Sequence, residues 1–196
     1  MALRSLLVAL ILSLAGLSAA QAQQGAAPSA PPWHEKTGLV FPDQAGGARL
    51  TRSIDYGKMT GNAGLGYSWH YLVPDLVAAS IYVYDGGQRV PDGPDNALVV
   101  AQFSQNMREV EVAATQANRY RNLSQQGQPS TCSYGRFAFR CITYKATQTA
   151  TNEAVFTRLM LVGYRGHYLK LRIDWPQNSA KADAEVERLV RALFSQ

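Results

Sequence analysis

The chain has 196 residues, 46% of them hydrophobic, and a formal net charge of +5 from 19 Lys and Arg against 14 Asp and Glu. That length fits one ordinary domain with a core large enough to fold unaided, and it leaves little room for a second. The basic excess does not make the chain a nucleic-acid binder, because no recognised reader motif accompanies it.

In chain order, the first element is an export signal. Arg4 supplies a positive n-region, Leu6 to Leu17 an uncharged apolar h-region, and Ala20-Gln21-Ala22 a small-x-small cleavage site, which predicts a signal peptide over 1–22. The apolar run is shorter than the roughly 20 residues that span a bilayer, and no later segment is apolar enough to do so. With no cysteine at the cleavage point, lipid attachment there is unavailable to the chain. A periplasmic or secreted location follows as an expectation. Residues 23–37, which include QQGAAPSAPP, are small, polar and proline-rich and are expected to form a disordered tail, leaving a single domain over 38–196.

Beyond the tail the hydrophobic period is mostly two. Leu39 to Phe41, Arg49 to Asp55, Leu65 to Val73 and Ala78 to Tyr84 read as antiparallel strands, parted by turn signals such as Pro42-Asp43, Gly61-Asn62 and Asp85-Gly86-Gly87. After Asp95, the expected N-cap, the apolar residues Val99, Phe103, Met107, Val110, Ala114 and Ala117 fall at helical steps. Strands resume near Arg119 and continue through Tyr134 to Ala146, Ala154 to Tyr164 and His167 to Trp175. A closing helix from about Ser179 buries Val186, Leu189, Val190, Leu193 and Phe194. The expected fold class is α+β, a mostly antiparallel sheet packed with one long central helix and a C-terminal helix.

This order of elements, with GHYLKLRIDWP as last strand and the terminal helix after it, resembles the PsbP-like sandwich of small exported bacterial proteins and photosystem accessory proteins. The resemblance spans roughly residues 38 to 196. It implies an accessory or binding role and names no catalytic residue.

Cys132 and Cys141 are an even pair in a chain read as exported, so a structural disulfide is expected. Eight residues separate them, unlike the Cys-x-x-Cys of redox sites. Gly66-Tyr67-Ser68-Trp69-His70 falls short of a nucleophile elbow, because His70 stands where the second glycine belongs and the segment reads as a strand. Gly61, Gly64 and Gly66 precede no Gly-Lys-Ser/Thr, and DGGQRVPDGPD over Asp85 to Asp95 lacks the ligand alternation of an EF-hand, so both read as turns. His34, His70 and His167 show no metal-ligand spacing. No catalytic residue, metal site or cofactor is assigned.

The charge distribution is more informative. Between Val112 and Ile173 there are nine basic residues and one acid, Glu153. Pleating places the odd-numbered Phe137, Phe139, Cys141, Leu159, Leu161, Leu169, Leu171 and Ile173 in the core. The even-numbered Arg136, Arg140, Arg158, Lys170 and Arg172, with Tyr134, Tyr144, Phe156 and Tyr168, would then share a second face if the strands are neighbours. That face is either a solvated sheet surface or a binding surface for an anionic ligand or an envelope partner, with Arg136, Arg140, Arg158, Lys170, Arg172 and Tyr168 as candidate contacts. The functional expectation is an exported envelope binding or accessory protein without catalytic activity. Two alternatives stand beside it: a small periplasmic hydrolase using Ser68, His70 and loop acids, and a structural module docking through Tyr67-Trp69-Tyr71 or the YVYD strand.

Overall fold

The structure, a computed structural model, describes residues 27–195; the segment read as a signal peptide and the first residues of the tail lie outside them. Short strands β1 (Trp33–His34) and β2 (Leu39–Val40) pair in a hairpin. The main sheet contains β3 (Gln44–Ala45), β4 (Ala48–Asp55), β5 (Tyr67–Val73), β6 (Val77–Tyr84), β7 (Tyr120–Tyr134), β8 (Phe137–Gln148), β9 (Ala154–Tyr164) and β10 (His167–Pro176). Their spatial order is β3-β4-β5-β6-β10-β9-β8-β7, and every pairing is antiparallel. The described residues also form three helices, α1 (Tyr56–Thr60), α2 (Ala97–Thr115) and α3 (Ala180–Phe194), so the class is α+β.

Both faces of the sheet are covered. On one, α3 lays Ala182, Val186, Leu189, Val190, Leu193 and Phe194 against Phe137, Phe139, Met160, Leu171 and Ile173. On the other, α2 lays Val99, Phe103 and Val110 against Ile142, Tyr144, Leu159, Leu161 and Tyr168. Double coverage explains why β9, near the middle of the sheet, is buried without a break from Leu159 to Gly163.

Helix α2 is capped by Asn96 rather than Asp95. Asn96 Oδ1 accepts from Val99 N at 3.0 Å while its amide donates to the carbonyls of Pro91 and Gly93. A carboxylate could cap but could not donate to those loop carbonyls. Asp95 instead pairs with Arg140 at 3.1 Å. Of the expected stripe, Ala117 lies exposed beyond the helix end.

Residues 28–37 are not a disordered tail. Their carbonyls accept hydrogen bonds from the domain: Pro28 from Asp55 N, Ala30 from Ser53 Oγ, Pro31 from Trp69 Nε1 and Pro32 from Phe41 N, at 2.7 to 3.1 Å. Proline has no amide of its own to satisfy, so a proline-rich strap can lie on a fold as an acceptor without leaving orphan donors. Composition weighs side-chain burial and misses this.

The Cys132–Cys141 disulfide ties β7 to β8 with a Cα separation of 6.0 Å. Among the described residues no helix is long and apolar enough to cross a membrane.

Candidate ligand-binding cleft

The five cations expected on one face are divided between two. The two-residue turn Arg165-Gly166 sets Tyr164 opposite His167, so even-numbered residues of β10 face odd-numbered residues of β9. Lys170 therefore pairs with Leu161 and Arg172 with Leu159, whereas Arg158 pairs with Ile173 on the α3 side. Arg140 joins Lys170 and Arg172 on the α2 side, because it pairs with Leu161 from β8. Arg136 occupies the β7–β8 turn and donates to Tyr164 OH at 3.3 Å. Tyr168 is 2% exposed and packs on Tyr84, with ring centroids 5.1 Å apart. The eight odd-numbered residues are all buried, but Leu159 and Leu161 belong to the α2 side.

The charges on these faces have partners within the fold. Lys170 Nζ lies 3.2 Å from Asn106 Oδ1 and 3.4 Å from Glu109 Oε2, and burial lowers its pKa against the opposing pull of Glu109. Arg172 donates to Tyr120 OH and Thr157 Oγ1, and Arg158 to Thr143 Oγ1 and Tyr134 OH. A recess of ≈230 Å³ beside α2 does contain Lys170 and Arg172, but it also holds Glu109 and the Arg119–Asp174 pair.

The residues of the two alternative readings are also placed. Ser68 Oγ is 3.0 Å from His70 Nε2, and His70 Nδ1 is 2.9 Å from Ser80 Oγ. Among the described residues no carboxylate hydrogen-bonds to this histidine. Burial, then Arg52, lowers its pKa, and Ser68 is 0% exposed, which denies a substrate carbonyl any approach. Trp69 and Tyr71 are core residues, with Trp69 stacked on Phe41 at 3.8 Å, so they offer a partner no surface.

A larger concavity forms where three loops meet at one end of the sheet. The β1–β2 loop brings Lys36, the loop between β6 and α2 brings Asp85, Arg89 and Asp92, and the β9–β10 turn brings Arg165 next to His167; together they line a cleft of ≈940 Å³. Backbone bonds hold the loops in register: Val90 N to Gly166 O, and Gly93 and Gly163 exchanging both N–H···O bonds. Asp92 Oδ1 accepts from Arg165 N at 2.6 Å, and Arg165 Nη1 donates to Thr37 O at 2.9 Å.

The two aspartates of the cleft also brace its loops. Asp92 takes the Arg165 amide, while Asp85 takes the Gly87 amide through Oδ1 and places Oδ2 3.7 Å from His167 Nε2. Lys36 and Arg89, both exposed, make no hydrogen bond or ion pair with the described residues. Two cations without a hydrogen-bond or ion-pair partner among the described residues thus line this cleft.

Its floor continues into a recess of ≈250 Å³ that shares Lys36, Asp85 and His167 and adds Trp33, His34 and Glu35. Thr37 N donates to His34 Nδ1 at 3.2 Å, so the neutral ring carries its proton on Nε2. Burial chiefly, then the charges of His167 and Lys36, lowers the His34 pKa to about 4. No group of three or more His, Cys, Asp or Glu side chains among the described residues is arranged to hold a metal ion. What the cleft offers is anion binding at its mouth and hydroxyl recognition by carboxylate and imidazole below.

Sequence reasoning missed this site because Lys36, Arg89 and Arg165 lie in loops, outside any periodicity. Their only local mark is the glycine in or beside each turn: Gly38, Gly87 and Gly166 all have positive φ. No protein-family model matches the chain, and no curated protein matches it in sequence.

Proposed function

We propose that this chain is an exported cell-envelope binding or accessory protein whose ligand is a small anion-bearing molecule held in the loop cleft by Arg89, Lys36 and Arg165. The observation that carries the reading is the pair of unpartnered cations on a preformed concavity of ≈940 Å³, the size range of small-molecule sites. Guanidinium forks bind carboxylate or phosphate through paired charge-assisted hydrogen bonds. Export is supported by the leader pattern over 1–22 and by the disulfide, which fits an oxidising compartment. In the same proposal the chain is a PsbP-like sandwich with α2 as its central helix, which rests on element order.

This reading moves the anion site from the sheet face to the loops. A hydrolase using Ser68 and His70 is the weaker reading, since its nucleophile is sealed in the fold. Isothermal calorimetry with citrate and with inorganic phosphate, at low salt and again at about 0.5 M salt, tests the proposal. Binding should weaken with salt and disappear in the double variant Lys36→Glu, Arg89→Glu. Affinity that survives the double charge reversal would overturn it.

A further inference from the structure

We infer that the ligand of this cleft is an acidic carbohydrate, with its sugar ring stacked on Trp33 in the inner recess and its acid group held at the mouth by Arg89 and Lys36. The inference rests on the anion-binding reading above and adds the chemistry of the rest of the ligand.

Three observations converge on it. The first is Trp33. At 53% exposure it is the most exposed large hydrophobic side chain among the described residues, yet it forms part of the wall of the ≈250 Å³ recess. It stacks on no other ring among the described residues, whereas Trp69 and Trp175 are buried against Phe41 and Phe156. An exposed indole is a broad, amphipathic contact with little side-chain entropy to lose, and such residues dominate binding surfaces.

The second is the setting of that ring. Trp33 pairs with Val40 in the β1–β2 hairpin, whose ends are held by Phe41 N donating to Pro32 O and Gly38 N donating to His34 O. Arg165 Nη1 fastens the hairpin's turn to the β9–β10 turn through Thr37 O. The indole is therefore presented on a braced element, so binding need not order the segment that carries it.

The third is the mixed lining of the recess. Beside Trp33 and the partly buried rings of Tyr67 and Tyr84 it holds Glu35, Asp85, His34 and His167. An acyl chain would strand these polar groups, and a planar base would find one exposed ring and two carboxylates. A pyranose matches the set, because its C–H face covers the indole while its hydroxyls donate to the carboxylates and accept from imidazole N–H. The neutral His34 keeps its Nε2–H, since its Nδ1 is occupied by the Thr37 amide. Lys36 and Asp85 line both compartments, so a ring in the recess lies next to the cationic mouth.

The acid group can be a carboxylate or a phosphate, as both suit Arg89 and Lys36. The experiment titrates the full chain, after removal of its leader, with a short oligogalacturonate, glucose 6-phosphate, a neutral maltooligosaccharide and citrate. Calorimetry is run alongside tryptophan emission, and circular dichroism checks the fold of each variant. At least one acidic sugar should bind roughly ten-fold tighter than citrate and shift the emission of the exposed tryptophan, whereas citrate should bind without a shift. Trp33→Ala should remove the shift and bring the acidic sugar's affinity down to that of citrate, with citrate binding unchanged, and Trp33→Phe should recover part of the loss. If both acidic sugars bind no tighter than citrate, or if Trp33→Ala leaves their affinity intact, the carbohydrate inference is overturned while anion binding stands. If neither citrate nor an acidic sugar binds, the anion-binding reading fails and the inference with it.

Discussion

The imidazole of His167 stands edge-on to that of His34, with ring centroids 4.8 Å apart, and the pKa of His34 is driven well down. Burial is the main cause of that lowering, His167 and Lys36 add to it, and Asp85 opposes it, which brings the His34 value from 6.5 to about 4. A stability prediction follows with a definite sign. Between these values the unfolded chain binds a proton at His34 and the folded chain does not, so the folded state is fully stable above about pH 6.5 and loses stability as pH falls towards 4. At about 1.4 kcal/mol per pKa unit, the loss approaches about 3 kcal/mol. His70, lowered by burial and then Arg52, contributes in the same direction. Urea melts between about pH 7 and about pH 4.5 should show a shallower decline in His34→Gln than in the wild type. Equal slopes would mean that His34 titrates normally in the fold.

The disulfide should matter to stability and not to the cleft. Cys132 and Cys141 join β7 and β8 toward the sheet edge, away from Arg89 and Lys36. Closing a short loop of this kind stabilises by about 2–3 kcal/mol on the chain-entropy model, which for a domain of this size is roughly 5–10 °C in Tm. Cys132→Ser and Cys141→Ser should each lower Tm by that amount and leave citrate affinity unchanged. Intact-mass analysis of native, unreduced protein should find neither residue alkylated.

Leu171 and Leu161 point to opposite faces, and both are buried, one under α3 and the other under α2. Replacing either with Ala should cost about 2–5 kcal/mol in urea melts. A plain surface arginine would cost within about 0.5 kcal/mol on truncation. Arg172→Ala should cost more, about 1 kcal/mol, because the guanidinium donates to Tyr120 OH and to Thr157 Oγ1, and Thr157 is itself buried. A negligible loss at Leu161 would show that α2 does not cover the sheet there.

These positions also mark how far the fold could be read from sequence. Alternation placed β5, β6, β9 and β10 to within about two residues, and the step of three and four found the buried side of α3 from Val186 to Phe194. Such periods are local and are set by the residues that show them. Which face of β9 joins which face of β10 is not local: it depends on whether the turn at Arg165-Gly166 holds an even or an odd number of residues. An even-number rule carried across that turn put Arg158 with Lys170, when pairing puts it with Ile173. The cleft is less legible still. His34 and His167 are 133 residues apart in sequence; Arg89 and Arg165 meet because β6 and β10 lie side by side, and Lys36 joins them from the separate β1–β2 hairpin, whose turn Arg165 Nη1 holds at Thr37 O.

The architecture of that meeting point gives the last prediction. Gly163, at the end of β9, exchanges two backbone hydrogen bonds with Gly93, at 2.9 and 3.1 Å, which hold the loop carrying Arg89 and Asp92 against the sheet. A Cβ at position 163 would lie 1.9 Å from the carbonyl oxygen of Pro91, and a backbone carbonyl cannot rotate aside as a side chain can. Gly163→Ala therefore has to lift the loop, breaking the bonds to Gly93 and moving Asp92 from the Arg165 amide. The stability cost should be about 1–3 kcal/mol, typical of overpacking. Arg89 would lose its position relative to Lys36, so citrate affinity should fall and loop amides should exchange faster with solvent. Gly135→Ala separates this effect from general destabilisation. Gly135 has φ +57° in the β7–β8 turn, and its added Cβ would lie 2.7 Å from Phe194 O. That variant should lose stability as well, yet keep wild-type citrate affinity and slow exchange at residues 86–93. If Gly163→Ala binds citrate as the wild type does, the loop position is not what assembles the cleft.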